Sequence, residues 1–156
     1  MKTKAVIALG SNLGDRRETL ELAISLIRNF PESTFLTVSS FHETVALTES
    51  GEDSSKPSYL NAVCLIETTL SAQELLELCS EVEANLGRVR AERWQDRTLD
   101  LDIVAFGDQV IETESLSVPH PRAHERLFVL LPWQEIDPDA EIVGRGKVSD
   151  LIARLT

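Results

Sequence analysis

Cysteine, aromatic side chains and positive charge are all scarce in this chain, and no long hydrophobic run occurs in it. Its 156 residues include 2 cysteines, Cys64 and Cys79, each in an apolar neighbourhood. They read as two buried free thiols rather than a disulfide framework, and no Cys/His group has zinc spacing. Basic side chains number 15 against 26 acidic ones, a net charge of −11. That balance argues against general binding to nucleic acid or anionic membrane, which relies on a basic surface to displace counterions. A local basic pocket stays open. The opening apolar run, Ala5–Leu9, is cut off by Gly10-Ser11-Asn12 and Asp15-Arg16-Arg17, too short for a secretory h-region, and no stretch reaches membrane-spanning length. A cytoplasmic protein is expected. At roughly 150 residues per domain, residues 1–156 are expected to form one domain. Apolar residues at 42% and charged residues at 26% are ordinary for a soluble globular fold.

What the chain does have is punctuated periodicity. Lys4–Leu9 is a nearly continuous apolar run closed by Gly10 and reads as a central strand. Asp15 can cap a helix in which Leu20, Ala23, Ile24, Ile27 and Phe30 recur at helical spacing up to Pro31. Ser33–Glu43 reads as a second strand. Thr48–Ser58 is a long polar loop of the kind that often serves as a lid. Tyr59–Thr69 predicts a third strand. Ser71-Ala72-Gln73-Glu74 is a capping-box sequence opening a helix that ends near Gly87. Thr98–Phe106 predicts a fourth strand, followed by a Gly107-Asp108 hairpin turn and a return strand over Gln109–Glu112. Val118-Pro119-His120-Pro121 predicts a rigid turn, Pro121 the start of a helix to about Leu131, and Ser149–Leu155 a short final helix. The order predicts an α+β fold: a ferredoxin-like βαββαβ core, mainly antiparallel, with both helices on one sheet face and a C-terminal helical extension.

Two segments carry chemistry. In Thr98-Leu99-Asp100-Leu101-Asp102-Ile103-Val104, alternation places Leu99, Leu101 and Ile103 on one face and Asp100 and Asp102 on the other, about 7 Å apart along the strand. Two carboxylates so placed repel each other, and a hard divalent cation resolves the conflict; Mg²⁺ is commonly held by one or two carboxylates plus phosphates and water. Solvated aspartates on an exposed face are the plainer alternative, which the poor strand propensity of Asp disfavours. In Arg88–Arg97 lie 4 of the chain's 11 arginines and no lysine. The C-terminal dipole of the preceding helix accounts for one of them at most, whereas guanidinium forks match phosphate oxygens. Acidic pair, arginine cluster and lid-length loop together point to Mg-nucleotide chemistry. Neither a P-loop nor protein-kinase signatures are present, and the pattern does not name the acceptor.

These residues resemble the 6-hydroxymethyl-7,8-dihydropterin pyrophosphokinase family of folate synthesis. The resemblance rests on Ala8-Leu9-Gly10-Ser11-Asn12-Leu13-Gly14-Asp15, Tyr59-Leu60-Asn61-Ala62-Val63, Gly87-Arg88-Val89-Arg90, Arg93-Trp94, Arg97-Thr98-Leu99-Asp100-Leu101-Asp102-Ile103, Val118-Pro119-His120 and Arg126-Leu127-Phe128-Val129-Leu130. It implies transfer of the β,γ-diphosphate of ATP to the pterin's hydroxymethyl oxygen, with release of AMP. Asp100 and Asp102 would hold Mg²⁺, two ions with ATP. Arg88 and Arg97 would be the main phosphate and transition-state ligands. Arg90, Arg93 and Trp94 would ride on a loop closing over the nucleotide. His120 and Arg126 would contact phosphates, with Ile103 and Ser117 near adenine or ribose. The pterin would stack between Tyr59 and Phe128 and be read by Asn61 with the backbone around Thr44, Val45 and Leu47, a plausible site for a flat heteroaromatic. ATP and the pterin are the partners implied, to a monomer. Gln95-Asp96 stands where relatives usually carry Gly-Pro, and a non-catalytic pterin- or nucleotide-binding relative is the alternative; a metal-dependent phosphohydrolase is a second. His42 and His124 carry no motif support and are expected at the surface, and Glu83 is expected to be structural.

Overall fold

The computed structural model describes residues 2–12, 15–44, 47–48, 51–52, 58–87 and 99–156, with backbone alone at 47–48, 51–52 and 87. The apolar run at the N-terminus forms β1 (Thr3–Ser11), which is buried along most of its length. Helix α1 (Arg16–Arg28) follows, capped by Asp15, whose carboxylate accepts the Glu18 N–H at 3.0 Å. The predicted second strand is divided into β2 (Ser33–Val38) and β3 (His42–Thr44). Ser39 explains the division: its N–H donates to the Val63 carbonyl while its hydroxyl accepts the Val63 N–H at 3.0 Å, so a side chain replaces one link of the ladder. Within the expected loop, β4 (Leu47–Thr48) and β5 (Gly51–Glu52) pair with each other.

Then come β6 (Tyr59–Thr68) and α2 (Ala72–Gly87). The capping box closes as expected, Ser71 Oγ accepting the Glu74 N–H at 3.1 Å and Glu74 accepting the Ser71 N–H at 2.8 Å. The strand bearing the aspartates is β7 (Asp100–Phe106). The chain turns at Gly107, with a φ of +59° and its N–H donating to Lys4 O. The return segment differs from expectation. β8 (Ile111–Glu112) pairs with β9 (Ser117–Val118) rather than with β7. Polar groups on β7 are already engaged elsewhere: the Leu101 N–H donates to Glu83 at 2.8 Å, and the Val104 carbonyl accepts the His120 N–H at 2.9 Å.

After a cis Val118–Pro119 bond, the helix expected from Pro121 is instead a 3₁₀ turn over Ala123–Glu125 followed by α3 (Leu127–Ile136). Arg126 separates them in extended conformation (φ −114°, ψ 101°). The hairpin β10 (Glu141–Ile142) and β11 (Gly146–Lys147) leads to α4 (Val148–Leu155).

The main sheet is antiparallel in the order β2-β6-β1-β7, with β3 prolonging the β2 side along β6. In the order second-third-first-fourth of the predicted main strands, this is the expected α+β arrangement. One face packs Ile7, Leu9, Ile66 and Leu101 against the stripes Leu20–Ile24–Ile27 of α1 and Leu75–Cys79–Val82 of α2. The other face, with Val6, Val63, Leu65 and Val104, is covered by Leu130 and Trp133 of α3 and Leu151 of α4. The C-terminal extension is thus a second helical layer. Cys64 and Cys79 are free and buried in the first core. Burial raises both thiols, that of Cys79 to about 12 with help from Glu83 and Asp102.

Candidate active site

At the end of the sheet where β1 leaves it, the second helical layer stands off from the strands and leaves a space. There the register sets Asn61 of β6, Gly10 of β1 and Asp100 of β7 side by side across neighbouring strands, and Ala8 opposite Asp102. Directly opposed residues share a face, so the aspartates project on the same side as Asn61. Small residues in the middle strand keep that face open. A Cβ at Gly10 would lie 3.1 Å from Asn61 Oδ1 and 3.4 Å from Tyr59 Cδ1.

A cavity of about 220 Å³ forms over this floor. Its first wall is β3 and β6, with Thr44, Tyr59 and Asn61; its far side carries Asp100 and Asp102. Its roof is the start of α3, with Arg126, Phe128 and Val129. Asn61 is buried, and its Nδ2 donates to Thr44 Oγ1 at 2.8 Å and to the His42 carbonyl at 3.4 Å. The Arg126 guanidinium carbon stands 5.5 Å from the Phe128 ring centre. An aromatic roof and a fixed amide therefore face one end of the cavity, and a carboxylate pair the other.

His120 lies half-buried at the carboxylate end. Burial pushes its imidazole below the ordinary value, Asp102 opposes this, and Arg126 and Arg122 push the same way as burial. Ser117 sits in β9, half-buried. Ile103 points into the core beneath α2, so its backbone is the part left for a ligand. Leu47 belongs to β4 by its backbone. Val45, Arg88, Arg90, Arg93, Trp94 and Arg97 lie outside the described residues.

Several cavity residues had no role assigned from the residues themselves: Ala8, Leu9, Gly10 and Val129. All four lie within the motifs that carry the resemblance, and Gly10 is further marked by its place between an apolar strand and Ser11-Asn12. Glu83 proves to hold the backbone of the aspartate strand at Leu101. His42 and His124, expected at the surface, are both half-buried and lie beside Glu135 (2.8 Å) and Glu125 (3.7 Å). A neighbouring carboxylate gives each imidazole a partner and draws it onto the body of the protein.

Two carboxylates with open space before them fit Mg²⁺, which takes its remaining ligands from phosphate and water. Among the described residues no group of three or more His, Cys, Asp or Glu side chains that could hold a metal ion is assembled.

Comparison with known proteins gives the family. Residues 6–138 match the family described as 7,8-dihydro-6-hydroxymethylpterin-pyrophosphokinase. The chain is 47% identical over 141 residues to the 2-amino-4-hydroxy-6-hydroxymethyldihydropteridine pyrophosphokinase of Bacillus subtilis, covering 90% of this chain and 82% of that one. To the Haemophilus influenzae protein of the same name it is 39% identical over 148 residues, covering 95% and 90%. Its fold is also that of a Plasmodium falciparum HPPK-DHPS crystal structure with pteroate, with a TM-score of 0.73 at 14% identity; 99% of this chain overlays 42% of that one. With that fold, the aspartate pair and the extent of sequence shared, the chain belongs to the 7,8-dihydro-6-hydroxymethylpterin-pyrophosphokinase family.

Proposed function

We propose that this chain carries out its family's reaction in the cavity between β6, β7 and α3, transferring diphosphate from ATP to 6-hydroxymethyl-7,8-dihydropterin. The observation that carries the reading is one 220 Å³ space lined by Tyr59, Asn61 and Phe128 at one end and by Asp100 and Asp102 at the other. The flat ring lies between Tyr59 and Phe128, where stacked aromatics supply area at small entropic cost. Asn61, held by Thr44, reads the ring's amide-like edge, with the backbone around Val45 and Leu47 beside it. The hydroxymethyl arm then extends toward the carboxylates. Its oxygen bonds to the β-phosphorus of ATP as the bond from that phosphorus to the α,β-bridging oxygen breaks. AMP leaves with the electron pair, and the hydroxyl proton is released.

Asp100 and Asp102 would hold Mg²⁺, two ions arriving with ATP, which when bound neutralise charge on the phosphates. The protein's own part is positioning. Arg126 and His120 meet the phosphates, and Ser117 with the Ile103 backbone borders the nucleoside. Arg88 and Arg97 bind the transferring group, while Arg90, Arg93 and Trp94 close over it to exclude water in favour of the alcohol. Residues 1–156 act as one domain and as a monomer in the cytoplasm. A net charge of −11 disfavours nucleic acid and anionic lipid as partners, and no helix among the described residues is long and apolar enough to cross a membrane.

The test is AMP release from ATP and Mg²⁺ with and without the pterin. AMP formed only when both are present supports transfer. Pterin binding without AMP identifies a non-catalytic relative, and phosphate release without pterin identifies a hydrolase.

A further inference from the structure

The roof of the cavity and its wall belong to different elements, and one exposed carboxylate joins them. Glu135 lies seven residues after Phe128 on α3, which puts both on one helix face about 10 Å apart along the axis. Its Oε2 accepts the Ser40 N–H at 2.8 Å and its Oε1 accepts the Ser40 hydroxyl at 2.8 Å. The same Oε1 lies 2.8 Å from His42 Nε2. His42 opens β3, is the register partner of Asn61, and accepts from Asn61 Nδ2 through its carbonyl. Thr44, which holds the same amide more closely, ends that strand. A single side chain therefore ties the helix bearing Phe128 to the strand that orients Asn61.

As an ion pair this contact is worth little, since its side chains are 30% and 39% exposed. Its geometry matters more. It spans over 90 residues of sequence and engages a backbone N–H, a hydroxyl and an imidazole, so the helix cannot slide along the strand without losing all of them. We infer that Glu135, through Ser40 and His42, is a positioning residue that sets the gap between Phe128 and the Asn61–Thr44 wall, and thereby the fit of the pterin ring. The inference rests on the functional reading above. A brace of purely structural value would alter melting temperature alone, whereas this one discriminates between the two substrates.

The experiment is calorimetric titration of the full chain with 6-hydroxymethyl-7,8-dihydropterin and, separately, with MgATP. Glu135→Ala is expected to weaken pterin binding about tenfold, the loss of hydrogen bonds to a charged acceptor, and to leave ATP within about twofold. Glu135→Gln is expected to recover most of the loss, because its amide oxygen accepts the Ser40 N–H and its NH₂ can donate to His42. Should Glu135→Ala fail to fold, His42→Ala tests the same link, with pterin affinity expected to fall about threefold. Unchanged pterin affinity in a folded variant, or equal losses for both ligands, overturns the inference while wild-type pterin binding keeps the functional reading intact. A wild type that binds no pterin overturns both.

Discussion

Gly10→Ala is the smallest change that separates the site from the fold. Gly10 is a strand residue whose φ lies outside the left-handed region, so alanine fits the backbone. Replacing glycine at a compatible position stabilises by about 0.4–1 kcal/mol through the unfolded chain. Against this stands the new methyl, 3.1 Å from Asn61 Oδ1 and 3.4 Å from Tyr59 Cδ1. The amide oxygen must give by a few tenths of an ångström while the Tyr59 contact is an ordinary van der Waals one, and Asn61 is held by its 2.8 Å bond to Thr44. The two contributions oppose each other in the free protein, so its stability should stay within about 1 kcal/mol of the wild type. They do not cancel in the complex, where the methyl fills part of the cavity floor and displaces the Asn61 amide proposed to read the ring. Pterin affinity is expected to fall at least tenfold, about 1.4 kcal/mol, with ATP affinity little changed. Thermal melting and calorimetry with each ligand measure the two quantities. Pterin binding within about twofold of the wild type would refute the placement of the ring over Gly10.

Asp100→Asn and Asp102→Asn should each lower Mg-dependent turnover by about a hundredfold or more with an unchanged circular dichroism spectrum; near-normal turnover in both removes the metal assignment. Phe128→Ala should weaken pterin about tenfold and ATP far less, and calorimetry showing equal losses contradicts stacking. Glu135 is held below its ordinary value of 4.5, chiefly by the His42 hydrogen bond and then by the Ser40 N–H. A depressed folded value contributes stability that is fully present above pH 4.5 and is lost as pH falls below that through the lower folded value, so melting temperature should drop less steeply below pH 4.5 in Glu135→Gln than in the wild type. Burial raises the Cys64 and Cys79 thiols, so neither should react with an aromatic disulfide reagent at pH near 8 until denaturant is added; rapid labelling of the native protein would contradict their core placement.

Much of this architecture was legible because its signals are local. Asp15, the Ser71–Glu74 box and the apolar stripes of α1 and α2 act within a turn or two of helix, and each formed where expected. Alternation in β7 separates Leu101 and Ile103 from Asp100 and Asp102, and the separation stands, with the leucine and isoleucine in the core and both aspartates at the cavity. Expectation departed from structure where a distant partner decides. Ser39 breaks a strand by bonding Val63, 24 residues away. The return segment leaves β7 for β9, whose pairing lies beyond the reach of a hairpin turn signal.

The sequence by itself determined the order of the four main strands and the two helices between them, their caps, the paired aspartates and the family, because propensity, capping and period depend on neighbours along the chain. Only the tertiary structure decided that Asn61, Gly10 and Asp100 stand abreast on three strands. It alone made the C-terminal helices a second layer, and it alone brought Phe128 over Asn61 with Glu135 bracing the helix that carries it. Those relations depend on sheet register and on which face each helix covers, and both are set by contacts between segments far apart in the chain.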